Sequence, residues 1–409
     1  EYLIMPDDRL LNREGEGWWG LNGTGGGGER DRSAIGLEFG IPITGKLHAT
    51  LAGRYDDYND VSNVGGAPTY GIGLEYRPGD SWLLRSSYNT SFRAPDMHYL
   101  FADESGFFSS TRDIYRCRVE AEEAGEEYNE LDCDFRQYEG VRSGTLGLKE
   151  EEGESLTVGI VYSPNNNFSA QIDYFELELT EAVRSLDTQQ LARDEADCRL
   201  GVTTNGESVD INSAECQDTL TRITREDDVL GTGDVQNWDI WTTGPINASF
   251  RKQKGFDAAM TYRIETDTSG DFSFRVDYTH VLKDERQLYE QDPIERNYRD
   301  NLQNFNARST VNLAAGWDYK RFSGVLYANR LGSMPNWQET DRLGSWTRFN
   351  GSATMTFMED KLVASLIVNN LTNKRPPQDD GFTTWPFYFR GQYNARGRES
   401  FVQLRYTFD

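Results

Sequence analysis

Apolar and polar residues alternate one for one along much of this chain. Phe272, Phe274, Val276 and Tyr278 are interleaved with Ser273, Arg275, Asp277 and Thr279. Leu156, Val158, Ile160 and Tyr162 repeat the pattern, as do Val402, Leu404, Tyr406 and Phe408 near the C-terminus. A period of two marks a strand with one apolar face. It predicts thirteen strands, near 33–41, 47–55, 69–77, 82–91, 155–163, 168–180, 255–263, 272–282, 309–318, 321–330, 346–358, 362–370 and 398–408. In 168–180 the phase slips near Tyr174 and Phe175, which predicts a bulge or an exit from the apolar band.

The connections between these strands alternate in length. Short turns rich in Gly, Pro, Asn and Asp fall at 42–46, 78–81, 164–167, 264–271, 319–320 and 359–361. Long loops fall at 56–68, 92–154, 181–254, 283–308, 331–345 and 371–397. A soluble sandwich has no reason to gather its long loops at one end, whereas an outer-membrane barrel has short periplasmic turns and long extracellular loops. The expected fold class is therefore all-β, a transmembrane antiparallel β-barrel. Its Arg, Asp, Asn, Thr, Ser and Gln positions face a water-filled or plugged lumen. Direction follows from parity: the last strand leaves a long loop and runs inward, and strand 33–41 does the same. Residues 1–32 then read as an extracellular loop segment and 33–409 as barrel. Bacterial barrels of one chain have an even strand count, so thirteen strands imply the C-terminal part of a larger barrel.

Composition narrows the alternatives. The 409 residues carry a formal charge of −25 and are 37% hydrophobic, with a mean hydropathy of −0.70. No stretch approaches the roughly 20 apolar residues of a spanning helix. The acidic excess argues against a nucleic-acid partner, which needs clustered Lys and Arg. With 9 Trp, 21 Tyr and 21 Phe, the chain is too aromatic to stay unfolded. Loop 92–154 holds 7 basic and 17 acidic residues and loop 181–254 holds 8 and 14, so they account for −10 and −6. The densest run is Glu120, Glu122, Glu123, Glu126, Glu127 and Glu130. Clustered carboxylates can coordinate Ca²⁺ or attract cationic cargo, or simply form a solvated face. The spacing is not that of an EF-hand, and a Ca²⁺ on these loops is the one cofactor the sequence leaves open.

Four cysteines fall into two local pairs, Cys117 with Cys133 and Cys198 with Cys216, each inside a long polar loop. Of the three possible connectivities the local one is preferred, as two loop-closing disulfides in an oxidising compartment. Candidate ligand contacts are the loop aromatics Phe107, Phe108, Trp238, Trp241, Trp385 and Tyr388, whose rings can stack on sugars or aromatic chelators. The competing reading is that they brace the loops. The three histidines, His48, His98 and His280, show no spacing for a Ser-His-Asp arrangement, so no catalytic residue is expected and the chain does not read as an enzyme.

Ser91-Phe92-Arg93-Ala94-Pro95, followed by Leu100-Phe101, resembles a signature of TonB-dependent outer-membrane receptors. Gly147-Leu148-Lys149-Glu150, with Tyr162-Ser163-Pro164 beyond the next strand, is similar to a second family segment, with Glu150 where the family usually has Pro. Val368 to Pro377 looks like the segment before the last loop. The order and spacing of these motifs hold over about 33–408. The resemblance implies the last thirteen of about 22 strands around a plug, with the plug and its TonB-recruiting segment lying outside this sequence. It implies TonB-dependent active import of a scarce nutrient (a siderophore-iron complex, oligosaccharide or peptide) across the outer membrane of a Gram-negative cell. The partners implied are TonB, outer-membrane lipid and lipopolysaccharide, and a small nutrient ligand. A passive porin, or a surface receptor or adhesin without TonB coupling, is the alternative. Lumen-facing Arg85, Arg275 and Arg405 are expected to pair with acids of the plug.

Overall fold

The structure is a computed structural model that describes residues 2–3, 25–186, 188–226, 237–247, 250–287, 294–297, 307–336, 341–358, 361–382, 385–388, 391, 393–394 and 396–408. Most of the 1–32 segment lies outside the described residues. Four strands open the sheet: β1 (Asp31–Pro42), β2 (Leu47–Asn59), β3 (Gly66–Tyr76) and β4 (Trp82–Arg93). A first excursion carries β5 (Ser105–Arg112), α1 (Ile114–Ala124) and β6 (Phe135–Arg142). The chain returns through β7 (Glu151–Asn165) and β8 (Phe168–Thr180). A second excursion carries α2 (Thr188–Leu200), α3 (Ala214–Arg222), β9 (Ile223–Arg225) and β10 (Trp238–Thr243). Then follow β11 (Phe250–Ile264), β12 (Asp271–Gln287), β13 (Ser309–Tyr319) and β14 (Phe322–Leu331). The last strands are β15 (Trp346–Phe357), β16 (Leu362–Asn369) and β17 (Glu399–Tyr406).

The thirteen strands read from alternation form one antiparallel sheet in the order β1-β2-β3-β4-β7-β8-β11-β12-β13-β14-β15-β16-β17. Each strand pairs with its predecessor in this series, and the two long excursions leave the sheet order undisturbed. Several strands outrun the expected limits: β12 reaches Gln287, β11 starts at Phe250 and β7 starts at Glu151. Backbone pairing continues where apolar alternation has stopped, because ladder hydrogen bonds do not depend on what the side chains face.

Alternation puts the large apolar side chains on one face. Ile35, Leu37 and Phe39 on β1 are 59–68% exposed, and Ile72, Leu84, Val158, Ile172 and Leu404 share the same side. A monomer in water rarely exposes a continuous apolar surface on this scale, whereas a bilayer solvates it. Rings border the band, as at membrane interfaces. At the short-turn end Trp82 lies 4.3 Å from Tyr162, and Tyr162 and Tyr262 each lie 6.1 Å from Phe168. At the long-loop end Tyr174, Phe256 and His280 stand in register across β8, β11 and β12. The phase slip at Tyr174-Phe175 is therefore an exit from the band. Pairing runs unbroken from Ala170 to Thr180, and the outward positions turn from Tyr174 to Glu176 and Glu178.

The opposite face is polar and internally paired. Asp56 is fully buried between Arg32 (2.8 Å) and Arg54 (2.7 Å). Arg85 grips Asp173 at 2.8 and 2.7 Å, above Gly159, where a Cβ would stand 1.9 Å from the Asp173 carboxylate. Arg275 donates to Asp277 at 2.8 and 2.9 Å. Arg85 and Arg275, expected to pair with acids of a plug, each hold a carboxylate of the wall itself, two residues along the strand or across the sheet. Arg405 has no ion pair among the described residues.

Candidate functional site

The two longest loops do not stay loops. Together they build a folded cap beyond the long-loop end of the sheet. The β5–β6 hairpin comes from the first excursion, and β10 from the second pairs in parallel with β6, Trp241 opposite Gly140. The resulting sheet has the order β9-β10-β6-β5. Against it pack Ile114 of α1, Leu191, Ala192 and Ala196 of α2, and Ile223, all buried, with Trp241 at the centre. Tyr138 stacks on Trp241 at 4.4 Å, and Trp238 meets Trp241 edge-on at 4.9 Å. Gly140 has to be glycine, since a Cβ there would lie 2.3 Å from the Phe107 ring.

Helix ends and crosslinks fix this unit. Asp113 caps α1 by accepting from the Arg116 amide, and Ser213 caps α3 by accepting from the Cys216 amide. Disulfides join Cys117 to Cys133 and Cys198 to Cys216, with Cα separations of 5.6 and 5.4 Å. At the base, Asn247 clasps the two excursions together. Its side chain accepts from the Lys149 amide (2.7 Å) and donates to the Lys149 and Glu181 carbonyls (3.0 and 2.9 Å).

A buried ionic cluster ties α1, α2 and β9. Arg225, about 1% exposed, donates to both carboxylate oxygens of Asp113 and both of Glu195 at 2.7–3.1 Å. Glu195 also accepts from Arg199 and from the Trp238 indole. Burial works to lower the Arg225 pKa, but the hydrogen bonds to Glu195 and Asp113 outweigh it and leave the pKa raised. Burial pushes the Asp197 carboxyl up against its ion pair with Arg118, and pushes the Tyr128 phenol up to about 12.

The nominated aromatics divide by place. Phe107 and Trp238 pack on the cap core, and Trp241 is fully buried, so it offers no ring face to a ligand in this conformation. Phe108 is 58% exposed on the outer face of the β5–β6 hairpin. Trp385 is 79% exposed on the last loop, beside half-exposed Phe387. Tyr388 belongs to a separate buried cluster with Met334, Trp346 and Tyr393. Among the described residues the Tyr388 and Tyr393 hydroxyls meet no hydrogen-bond partner, and burial with nearby Asp379 pushes Tyr393 up to about 12. Of the acidic run, Glu130 pairs with Arg193 at 2.8 Å, whereas Glu120, Glu122, Glu123, Glu126 and Glu127 are exposed. Among the described residues no three His, Cys, Asp or Glu are grouped to hold a metal ion. His48, His98 and His280 sit on β2, in the short helix 97–101 and on β12.

A thirteen-strand wall with an apolar outer face, a polar inner face and a folded cap at one end defines a receptor barrel. The family described as "TonB dependent receptor-like, beta-barrel" matches residues 7–371, and the chain belongs to it. Its members are outer-membrane receptors and transporters rather than enzymes. No curated protein matches the sequence. Solved structures agree in fold. The siderophore receptor PirA from Acinetobacter baumannii is 15% identical, with a TM-score of 0.57 over 93% of this chain and 46% of its own. A mutant of the ferric enterobactin receptor PfeA from Pseudomonas aeruginosa, in complex with enterobactin, is 15% identical with a TM-score of 0.58 over the same shares. The FrpB iron transporter from Neisseria meningitidis is 14% identical with a TM-score of 0.51 over 93% and 45%. The chain thus spans less than half the length of the structures it resembles. No helix among the described residues is long and apolar enough to cross a membrane.

Proposed function

We propose that this chain is the C-terminal barrel portion of a TonB-dependent importer that carries an iron chelate across the outer membrane. In this reading its thirteen strands are part of a barrel of about 22. An N-terminal plug, recruiting TonB, occupies the lumen against the polar face. The observation that carries the reading is membership of the receptor-barrel family over most of the chain, joined to a preorganised cap at the barrel mouth. The similar solved structures include siderophore and iron receptors, which favours a siderophore over a peptide or an oligosaccharide. Charge refines the choice. The two excursions that form the cap carry −10 and −6, and a field of that sign slows the approach of strongly anionic chelates at low salt. A neutral or cationic ferric chelate fits best, with Phe108 and Trp385 as its first aromatic contacts.

Radioiron uptake by an iron-starved deletion strain, complemented with the intact gene, tests this. Complementation should restore uptake of a neutral ferric hydroxamate more than of a trianionic ferric catecholate, and deletion of TonB should abolish both. Uptake that persists without TonB would make the barrel a passive pore. Growth restored only by an iron-free nutrient would overturn the iron reading.

A further inference from the structure

On the inner face, where the strands run on past the aromatic belt toward the cap, three arginines gather. The outward positions at this level are Glu176 and Glu178 of β8, opposite Lys254 and Lys252 of β11. Leu177, Leu179, Gln253 and Arg251 alternate with them and so face the mouth of the barrel. Arg251 stands directly opposite Arg286 of β12, and Gln253 directly opposite Asp284. The third guanidinium comes from the cap. Arg184 lies on the short strand 183–185, which pairs with 245–247 in the two stems of the second excursion. Burial and the charges of Arg251 and Arg286 hold its pKa below the usual arginine value, against the pull of Glu151.

Like charges directly opposite one another in a sheet are destabilising, so the neighbouring carboxylates bear on what this group can do. Asp284 is buried and meets Arg251 at 3.4 Å, and Glu295 takes Arg286 at 2.5 Å. Glu151 already accepts from the Val183 amide at 2.7 Å and lies 3.6 Å from Arg93. These acids come close to balancing the charge. What they leave over is directed donors. Arg184 has no hydrogen bond or ion pair among the described residues, so the five donors of its fork are unmet. Arg251 and Arg286 are half-exposed, and Leu177 is an exposed apolar side chain on an otherwise polar wall. An open guanidinium fork backed by two more suits a carboxylate taken through both oxygens.

We propose that Arg184, Arg251 and Arg286 form a pocket for a free carboxylate on the cargo, bordered by Gln253 and Leu177. The pocket rests on the iron-import reading and narrows it to chelates that keep one carboxylate outside the iron coordination. The acidic field of the cap acts over about a Debye length on the charge of the whole chelate, whereas the pocket acts on one group at contact. The cargo that satisfies both is neutral overall, with its carboxylate offset by a cationic group elsewhere. One guanidinium hangs from a cap stem and two from the wall, so the bound carboxylate ties the second excursion to β11 and β12.

The test is direct binding to the purified intact receptor in neutral detergent, read by quenching of tryptophan fluorescence. The probes are a linear ferric trihydroxamate carrying one ammonium and one carboxylate, and its methyl ester, which is cationic. The acidic loops alone favour the ester. The pocket should reverse that order and bind the acid about tenfold tighter, the scale of hydrogen bonds to a charged group. Arg184→Gln with Arg251→Gln should remove the preference, and Arg184→Lys with Arg251→Lys should keep part of it. Heat-modifiable migration in electrophoresis would show that each variant is folded. An unaltered receptor that binds the ester as tightly as the acid, or a Gln variant that still prefers the acid, would overturn the pocket. In either case a ferric chelate still binds, and the import reading stands. Failure of both forms to bind would instead count against the import reading, and the pocket would fall with it.

Discussion

Replacing Arg225 with alanine is expected to melt the cap while the barrel wall stays folded. The substitution strands Asp113 and Glu195, both buried, without their shared cation. Removing one partner of a buried ionic group costs about 3–5 kcal/mol. Hydrogen exchange read by mass spectrometry would show it as a loss of protection of roughly a hundredfold to several thousandfold in α1 and α2. The amides of β7, β8 and β11 should be unchanged. Charge removal should rescue part of the loss. Arg225→Met with Asp113→Asn and Glu195→Gln leaves no unpaired charge, and asparagine can still cap α1. Protection that survives Arg225→Ala would mean the cluster is not what joins the two excursions.

Loss of both disulfides should have the second large effect. The sequence separations are 16 and 18 residues, and closing loops of that size stabilises a fold by about 3 kcal/mol each. Together this approaches the whole stability of a small domain, about 5–15 kcal/mol. Alanine at all four cysteines should therefore make 92–154 and 181–254 sensitive to protease added to intact cells, with the barrel still resistant. Either pair removed alone should leave the cap folded but melting lower. Peptide mapping without reductant should return Cys117 with Cys133 and Cys198 with Cys216 and nothing else.

The wall was legible in the sequence because the bilayer enforces it. Every second residue from Phe272 to Tyr278 must be apolar, and that period survives any detail of packing. The strand ends were not legible, because beyond the lipid the outward residues become charged, as at Glu176 and Lys254, while the ladder continues. The cap was hidden for a related reason. Helix α2 buries Leu191, Ala192, Glu195, Ala196 and Cys198, a helical stripe with a carboxylate in the middle of it. Glu195 belongs there because Arg225, thirty residues on, is buried with it. No local pattern announces a partner that distant. The caps at Asp113 and Ser213 were the readable signals, each a polar residue just ahead of a stretch that turns helical. Among the loop aromatics, exposed Trp385 and buried Trp241 look alike in sequence, since burial is set by chain segments far from each.

A nitroxide scanned one residue at a time through 272–279 of β12, in the intact receptor in lipid vesicles, addresses the wall itself. Collision with oxygen should peak at Phe272, Phe274, Val276 and Tyr278, and collision with a water-soluble nickel chelate at Ser273, Arg275, Asp277 and Thr279. The two profiles should be out of phase with a period of two. Profiles that rise and fall together, or a stretch closed to both reagents as in a dry core between two sheets, would contradict a wall with lipid on one side and water on the other.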